Sequence, residues 1–205
     1  MGSVLSRAAL AALVAERQHA GARAVVTNGV FDLLHLGHVT YLQRARALGE
    51  FLIVGVNSDA STRRLKGPRR PLVPEAERAE VLAALTCVDY VTVFRENTAE
   101  ALLSALRPAI YVKGSDYAGG AAAGDVRLDN NELRLLLAGE TERWPALIGL
   151  KQRLPEARRV ATYGGSLALL AYLPGHSTTE LIERIVKRYG EPATGIPGSG
   201  GQDEQ

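Results

Sequence analysis

The chain has 205 residues, 46% of them hydrophobic, with 24 Lys and Arg against 22 Asp and Glu and a net charge of +2. That length holds one full core with room for an appendage, and so small a charge does not by itself argue for nucleic acid. Cys87 has no second cysteine to pair with, which excludes an internal disulfide and fits a reducing cytoplasm, and no apolar run is long enough to cross a bilayer.

Residues 4–19 read as an amphipathic helix rather than a signal peptide, closed by Ala20-Gly21. A β-branched run at 24–27 then leads into Asn28-Gly29, a short turn, and a helix that opens at His35 and runs to Leu48. Residues 51–56 form a continuous apolar run, the pattern of a buried parallel strand, and end in the polar Asn57-Ser58-Asp59. Residues 60–73 carry a basic loop in which Lys66 lies among Arg63, Arg64, Arg69 and Arg70, bounded by glycine and proline. A helix spans 74–85, with Pro74 at its start and Glu75 and Glu77 in its first turn. Cys87 follows this apolar helical pattern and reads as a structural thiol. A strand at 89–94, a helix at 98–106 capped by Thr98, and a strand at 109–112 come next, the last running into Lys113 and Asp116.

Strands alternating with helices predict an α/β fold, a doubly wound parallel sheet whose ligands sit outside the carboxyl ends of the strands. From residue 118 the pattern changes. Residues 118–124 read as flexible, 131–137 as a helix, and 144–154 as a further helical stretch, so that 118–158 forms an inserted helical segment. The sheet is expected to resume at 160–163 and 167–173, and a last helix to span 180–189. The expected organisation is an N-terminal helix (1–21), one domain (22–189) and a disordered tail (190–205).

The stretch TNGVFDLLHLGH (27–38) carries the most information. A strand, a glycine turn and a helix start together build an anion site from backbone N–H groups and the helix dipole. His35 and His38 are three apart and point the same way, and Gly37 between them leaves the backbone bare for a phosphate to approach. The same spacing suits zinc, but no further cysteine, histidine or acidic cluster completes such a site, so the histidines are read as free of metal. Near the other end, Ser177, Thr178 and Thr179 start the last helix, as a second anion site, as an N-cap with Glu180 closing a capping box, or as both.

Gly29, Phe31, Asp32, His35, Gly37 and His38 fill every position of GxFDxxHxGH, so the chain resembles the cytidylyltransferase-like nucleotidyltransferases of the HIGH superfamily. Further segments, VGVNSD (54–59), RRLKGP (63–68), VLAAL (81–85) with VDY (88–90), VKGSDY (112–117), Gly164-Gly165 and STTELIERI (177–185), resemble its ADP-heptose synthase branch. The resemblance covers roughly residues 22–188 and implies a Rossmann-like fold and transfer of AMP from ATP to a sugar 1-phosphate, here heptose 1-phosphate. Under it His35, His38 and Lys66 are catalytic, with Lys66 bridging the α-phosphate and the acceptor phosphate. Asn28, Gly29, Val30, Phe31, Gly37, Ser177, Thr178 and Thr179 bind the nucleotide, and Asp32, Arg78, Lys113 and Asp116 bind the substrate, with orienting a histidine or capping a turn as the other readings of Asp32 and Asp116.

The same resemblance implies Mg²⁺, carried largely by the triphosphate and water, and a cytoplasmic homodimer joined through the VDY region, with neither nucleic acid nor membrane as partner. The long segment at 118–158 and His176 before STT depart from the branch and bear on the acceptor. A CTP-dependent enzyme acting on glycerol 3-phosphate or a similar phosphoalcohol therefore stays open, as does a non-enzymatic regulatory module. Class I aminoacyl-tRNA synthetases share HLGH, but the chain has no KMSKS-like loop and no strongly basic surface.

Overall fold

The computed structural model describes residues 1–118 and 124–190. Strands β1 (Ser3–Val4), β2 (Ala24–Gly29), β3 (Phe51–Asn57), β4 (Tyr90–Phe94), β5 (Ile110–Gly114), β6 (Val126–Leu128) and β7 (Ser166–Leu170) form one sheet in the order β1-β4-β3-β2-β5-β7-β6. Among them β6 alone runs antiparallel, against β7. The helices are α1 (Arg7–His19), α2 (Leu36–Arg46), α3 (Asp59–Lys66), α4 (Glu75–Ala83), α5 (Glu100–Leu106), α6 (Asn130–Ala138), α7 (Leu150–Arg153), α8 (Glu156–Thr162) and α9 (Thr178–Tyr189).

Alternation along the strands builds two cores. Val26, Ile53, Tyr111, Leu167 and Leu169 turn to one face, where Leu10 and Val14 of α1 and Leu102, Leu103 and Leu106 of α5 cover them. Val25, Leu52, Val54, Val112, Ala168 and Leu170 turn to the other, under Tyr41, Leu42 and Ala45 of α2 and Ala79, Leu82 and Ala83 of α4. A period of two on a sheet covered on both faces is the doubly wound pattern expected from the alternating elements.

The segment 124–158 is woven into the first of these cores. Leu128, Leu133, Leu136, Leu147, Leu150, Leu154 and Ala157 are all buried there, so these residues complete one side of the sheet instead of lying over the cleft. The helical stretch expected at 144–154 is split into a single 3-10 turn (Pro145–Leu147) and the short α7, separated by Gly149 at φ +79. The expectations for 119–123 and for 191–205 lie outside the described residues.

Two expectations change. Residues 160–163 belong to α8 and the turn after it, not to a strand, since Val160 packs from a helix into the first core. The basic loop is largely helix: Ser58 caps α3, its Oγ accepting from the Ser61 N–H at 3.2 Å, and Lys66 is the last helical residue. Strand β1 pairs along the start of the outer edge of β4 (Ser3 with Tyr90, Val4 with Val91).

Strand β2 lies between β3 and β5. The chain passes from β2 to β3 on one side and later returns to β5 on the other, so the topological switch point lies between the carboxyl ends of β2 and β5. Ligands of such sheets bind there.

Candidate active site

At the end of β2 the turn is tightly built. The Tyr111 hydroxyl of β5 donates to Asn28 Oδ1 at 2.6 Å, and Lys113 Nζ donates to the Asn28 carbonyl at 3.3 Å. Phe31 sits at φ +49, where a bulky side chain is strained by about 1–3 kcal/mol. Its buried ring covers Gly29, whose Cβ, if present, would stand 3.0 Å from that ring. It also packs against His38, with ring centroids 5.2 Å apart.

His35 is the N-cap of α2, in extended backbone, and makes no side-chain cap bond. His38 follows in the first turn, and the two imidazoles stack with centroids 3.9 Å apart and planes 26° from parallel. Burial, then the neighbouring His35, pushes the His38 pKa down to about 4. Burial and His176 lower His35 as well, against an opposing pull from Glu180. Both rings are thus neutral at neutral pH and offer N–H donors, so positive charge has to come from elsewhere. The buried Nδ1 of each ring has no partner among the described residues.

The bare Cα of Gly37 serves a different purpose from the expected one. A Cβ there would lie 2.9 Å from the His176 carbonyl oxygen and 3.0 Å from His35 Nδ1. The space above Gly37 is filled by the turn that leads into α9, so the glycine lets two helix N-termini meet and does not itself admit a phosphate. At the second terminus Ser177 is the N-cap: its Oγ accepts from the Glu180 N–H at 3.1 Å, and Glu180 Oε2 accepts from the Ser177 N–H at 2.9 Å. The capping box is real. Thr178 and Thr179 begin α9, and first-turn N–H groups have no partner inside a helix. Two positive dipole ends therefore converge beside the neutral imidazoles.

Two lysines, Lys66 and Lys113, lie near enough to each other to interact. Lys66 is exposed at the end of α3, where Gly67 at φ +94 turns the chain. Lys113 is buried at the end of β5, with Nζ 4.8 Å from the Tyr117 ring centre. Burial is the main cause lowering its pKa, and Lys66 is near enough to add to the shift. Asp116 is exposed in the 3-10 turn Ser115–Ala118. Beside it stand Tyr117, whose pKa burial and Asp116 raise to about 12, and Tyr172, raised for the same two reasons. The Tyr172 ring lies directly on Gly114, where no Cβ would fit.

The fold and this site carry a sequence that a cytidylyltransferase-like family model matches over residues 26–184. The chain belongs to the cytidylyltransferase-like family. It is similar to the bifunctional protein HldE of Geobacter sulfurreducens, 46% identical over 182 residues, 89% of this chain and 31% of that protein. The HldE proteins of Pelobacter propionicus (44% over 186 residues, 91% and 32%) and Syntrophotalea carbinolica (47% over 169 residues, 82% and 28%) are similar too. The chain spans about three tenths of the length of these curated relatives. The family expected from the motifs is borne out.

Two residues of this cytidylyltransferase-like chain are used differently from the expectation. Arg78 is wholly buried and spends its donors on protein: Nε on the Val73 carbonyl at 2.8 Å, Nη1 on that of Val30 at 2.5 Å, and Nη2 on the Asn57 carbonyl at 2.9 Å and Asp59 Oδ1 at 2.7 Å. It is a clamp between three segments and does not reach the cleft as a substrate ligand. Asp32 is buried as well; its Oδ2 accepts from Arg70 Nη1 at 2.5 Å, and its Oδ1 from the Leu72 and Val73 N–H groups at 2.8 and 3.0 Å. That carboxylate is occupied by the chain itself and not turned to a substrate.

Among the described residues no three His, Cys, Asp or Glu side chains converge to hold a metal ion. No residue of this chain is therefore assigned to Mg²⁺. No helix is long and apolar enough to cross a membrane. The sequence reading missed Tyr111 and Tyr172. Each is an aromatic on or just after a strand of the sheet, and only the neighbouring strand reveals what it touches.

Proposed function

We propose that this chain transfers AMP from ATP to a sugar 1-phosphate of the heptose 1-phosphate class and releases pyrophosphate. The observation that carries the reading is the meeting of the α2 and α9 N-termini over two neutral imidazoles, in a chain so similar to bifunctional HldE proteins. The triphosphate would lie across the two termini, its oxygens accepting from backbone N–H groups and from imidazole N–H donors. Lys66 would stand as a mobile point charge between the α-phosphate and the acceptor phosphate. An acceptor oxygen attacks the α-phosphorus in line, the bond from that phosphorus to the bridging oxygen breaks, and pyrophosphate leaves. Lys113 and Asp116 line the acceptor side. Mg²⁺ brought with the triphosphate would add charge neutralisation. The setting is the cytoplasm, where ATP is abundant and the single cysteine stays reduced.

Pyrophosphate release, measured with ATP or CTP against heptose 1-phosphate, glycerol 3-phosphate and phosphoethanolamine, tests the proposal. Release with ATP and heptose 1-phosphate alone is expected. Release with CTP or another acceptor would keep the chemistry and replace the substrate.

The same proposal includes a homodimer, formed through α9. Leu181, Ile182, Ile185, Val186 and Tyr189 make one apolar stripe along that helix, with Ile185, Val186 and Tyr189 exposed by 46%, 60% and 75%. Glu180 and Glu183 lie toward its N-terminus and Arg184, Lys187 and Arg188 toward its C-terminus. Two copies laid antiparallel bury the stripe and oppose these charges, a self-complementary contact. Light scattering should give twice the chain mass for the wild type and the single mass for Val186→Asp; an unchanged mass removes α9 from the interface.

A further inference from the structure

The segment from Ser58 to Val73, with α3 at its heart, forms an arm that leaves the sheet after β3 and returns before α4. Its exposed tip carries Lys66 and Arg69. Along α3 the arm is docked: Ser61 Oγ donates to the Glu96 carbonyl at 2.9 Å, and Arg64 to Asn97 Oδ1 and the Arg95 carbonyl, each at 2.7 Å. The returning half, after Gly67, is held at the turn after β2 and not on this loop after β4. It is tied at Arg70, Leu72 and Val73, and the three ties converge on one buried carboxylate, that of Asp32.

Asp32 lies three residues before His35 and directly follows the strained Phe31. It is thus part of the turn that places the imidazoles, and through its carboxylate the same turn grips the arm that carries Lys66. We infer that Asp32 is a positioning residue, which fixes the distance between the histidine pair and Lys66 by latching the returning arm onto the phosphate-facing turn.

The physical case rests on burial and charge. A carboxylate as buried as this one needs partners, and its partners here are one guanidinium and two backbone N–H groups. All three lie on the arm, and none belongs to the turn itself. Lys66 ends the docked helix directly before Gly67, so releasing the three ties frees the stretch from Gly67 to the Arg78 clamp and leaves the last turn of α3, with Lys66, held from its docked side alone. A reacting group moved by about 1 Å can lose roughly 100-fold in rate.

The inference rests on the reading of Lys66 as the bridging cation, and the experiment separates the two. Asp32→Asn, Asp32→Ala and Lys66→Ala are made singly, and each Asp32 variant is also combined with Lys66→Ala. Asp32→Ala should lower kcat by roughly 10- to 100-fold with the KM for ATP changed less than about twofold. Asp32→Asn, which keeps an acceptor for the two N–H groups and loses the charge facing Arg70, should fall between it and the wild type. In the Lys66→Ala background neither Asp32 change should cost anything further. Multiplicative losses overturn the inference, as does a rise in acceptor KM at unchanged kcat, which would make Asp32 a substrate contact. Amide hydrogen exchange reads the latch without any turnover: in Asp32→Asn, residues 68–73 should exchange faster while those of α2 keep their protection. Unchanged exchange overturns the latch even if Lys66 proves catalytic, and normal turnover in Lys66→Ala overturns the reading of the lysine even if the latch is there.

Discussion

His38→Ala should lower turnover at least about 100-fold, while the thermal midpoint should shift far less than for a core truncation. The ring is positioned at three levels. Helix α2 points it along the same face as His35, the two rings stack at 3.9 Å, and the Phe31 ring bounds it on another side. A donor held in this way needs no rearrangement as charge develops on the phosphates, which is where its catalytic worth would lie. With a pKa of about 4 it is already neutral at pH 6, so titration of this ring should leave no step in wild-type turnover between pH 6 and 8. Turnover near the wild-type level in His38→Ala would remove the residue from the mechanism.

The depressed pKa also has a sign for stability. In the unfolded chain the imidazole titrates near 6.5, in the folded chain near 4. Between these values the unfolded state binds more protons, so this contribution is full above about pH 6.5 and is lost as pH falls toward 4. His35 acts in the same direction. Urea midpoints of His38→Gln should therefore fall less steeply than those of the wild type between pH 7 and 4.5. Parallel curves would show that the ring is solvated in the folded state.

Arg78→Met should destabilise the domain by about 3–5 kcal/mol, a large part of the total stability of a domain this size. The wholly buried guanidinium joins three carbonyls, of Val30, Asn57 and Val73, to the Asp59 carboxylate. Methionine fills much of the space but replaces none of the four hydrogen bonds, and it leaves the half-buried Asp59 carboxylate without its cation. Arg78→Lys should recover only part of the loss, because an ammonium offers three donors from one point and cannot span a planar fork. A urea-derived change under about 1 kcal/mol for Arg78→Met would mean that water or a shifted neighbour replaces the guanidinium with ease.

Local features were legible in the sequence and long-range ones were not. The strand, glycine turn and helix around His35 follow from residues adjacent in the chain, and so does the capping box of Ser177 and Glu180. Helix α3 was within reach as well: Ser58 and Asp59 are an N-cap and a first-turn acid, but the prolines and glycine after Lys66 and the absence of an apolar stripe pointed to a loop. The run Val160-Ala161-Thr162-Tyr163 is β-branched and aromatic, and only its packing beside α6 and α5 makes most of it helical. Asp32 carries a charge in the 27–38 motif and Arg78 one on the helix after the basic segment, and the family resemblance pointed both at substrate. Their partners at residues 70–73 and at Val30, Asn57 and Asp59 are set by the return of the chain, which no local pattern encodes.

Helix α9 buries none of its residues, yet its leading turn closes over Gly37. Under the proposed function the triphosphate would be gripped by one jaw fixed by the sheet and by one that few contacts within the single chain hold down. Opening that second jaw exposes almost no core, so it belongs to the least protected part of the molecule. An anion that bridges both jaws ties them together, and its affinity includes the work of bringing the helix home. Substrate binding and the completion of the site are then a single equilibrium.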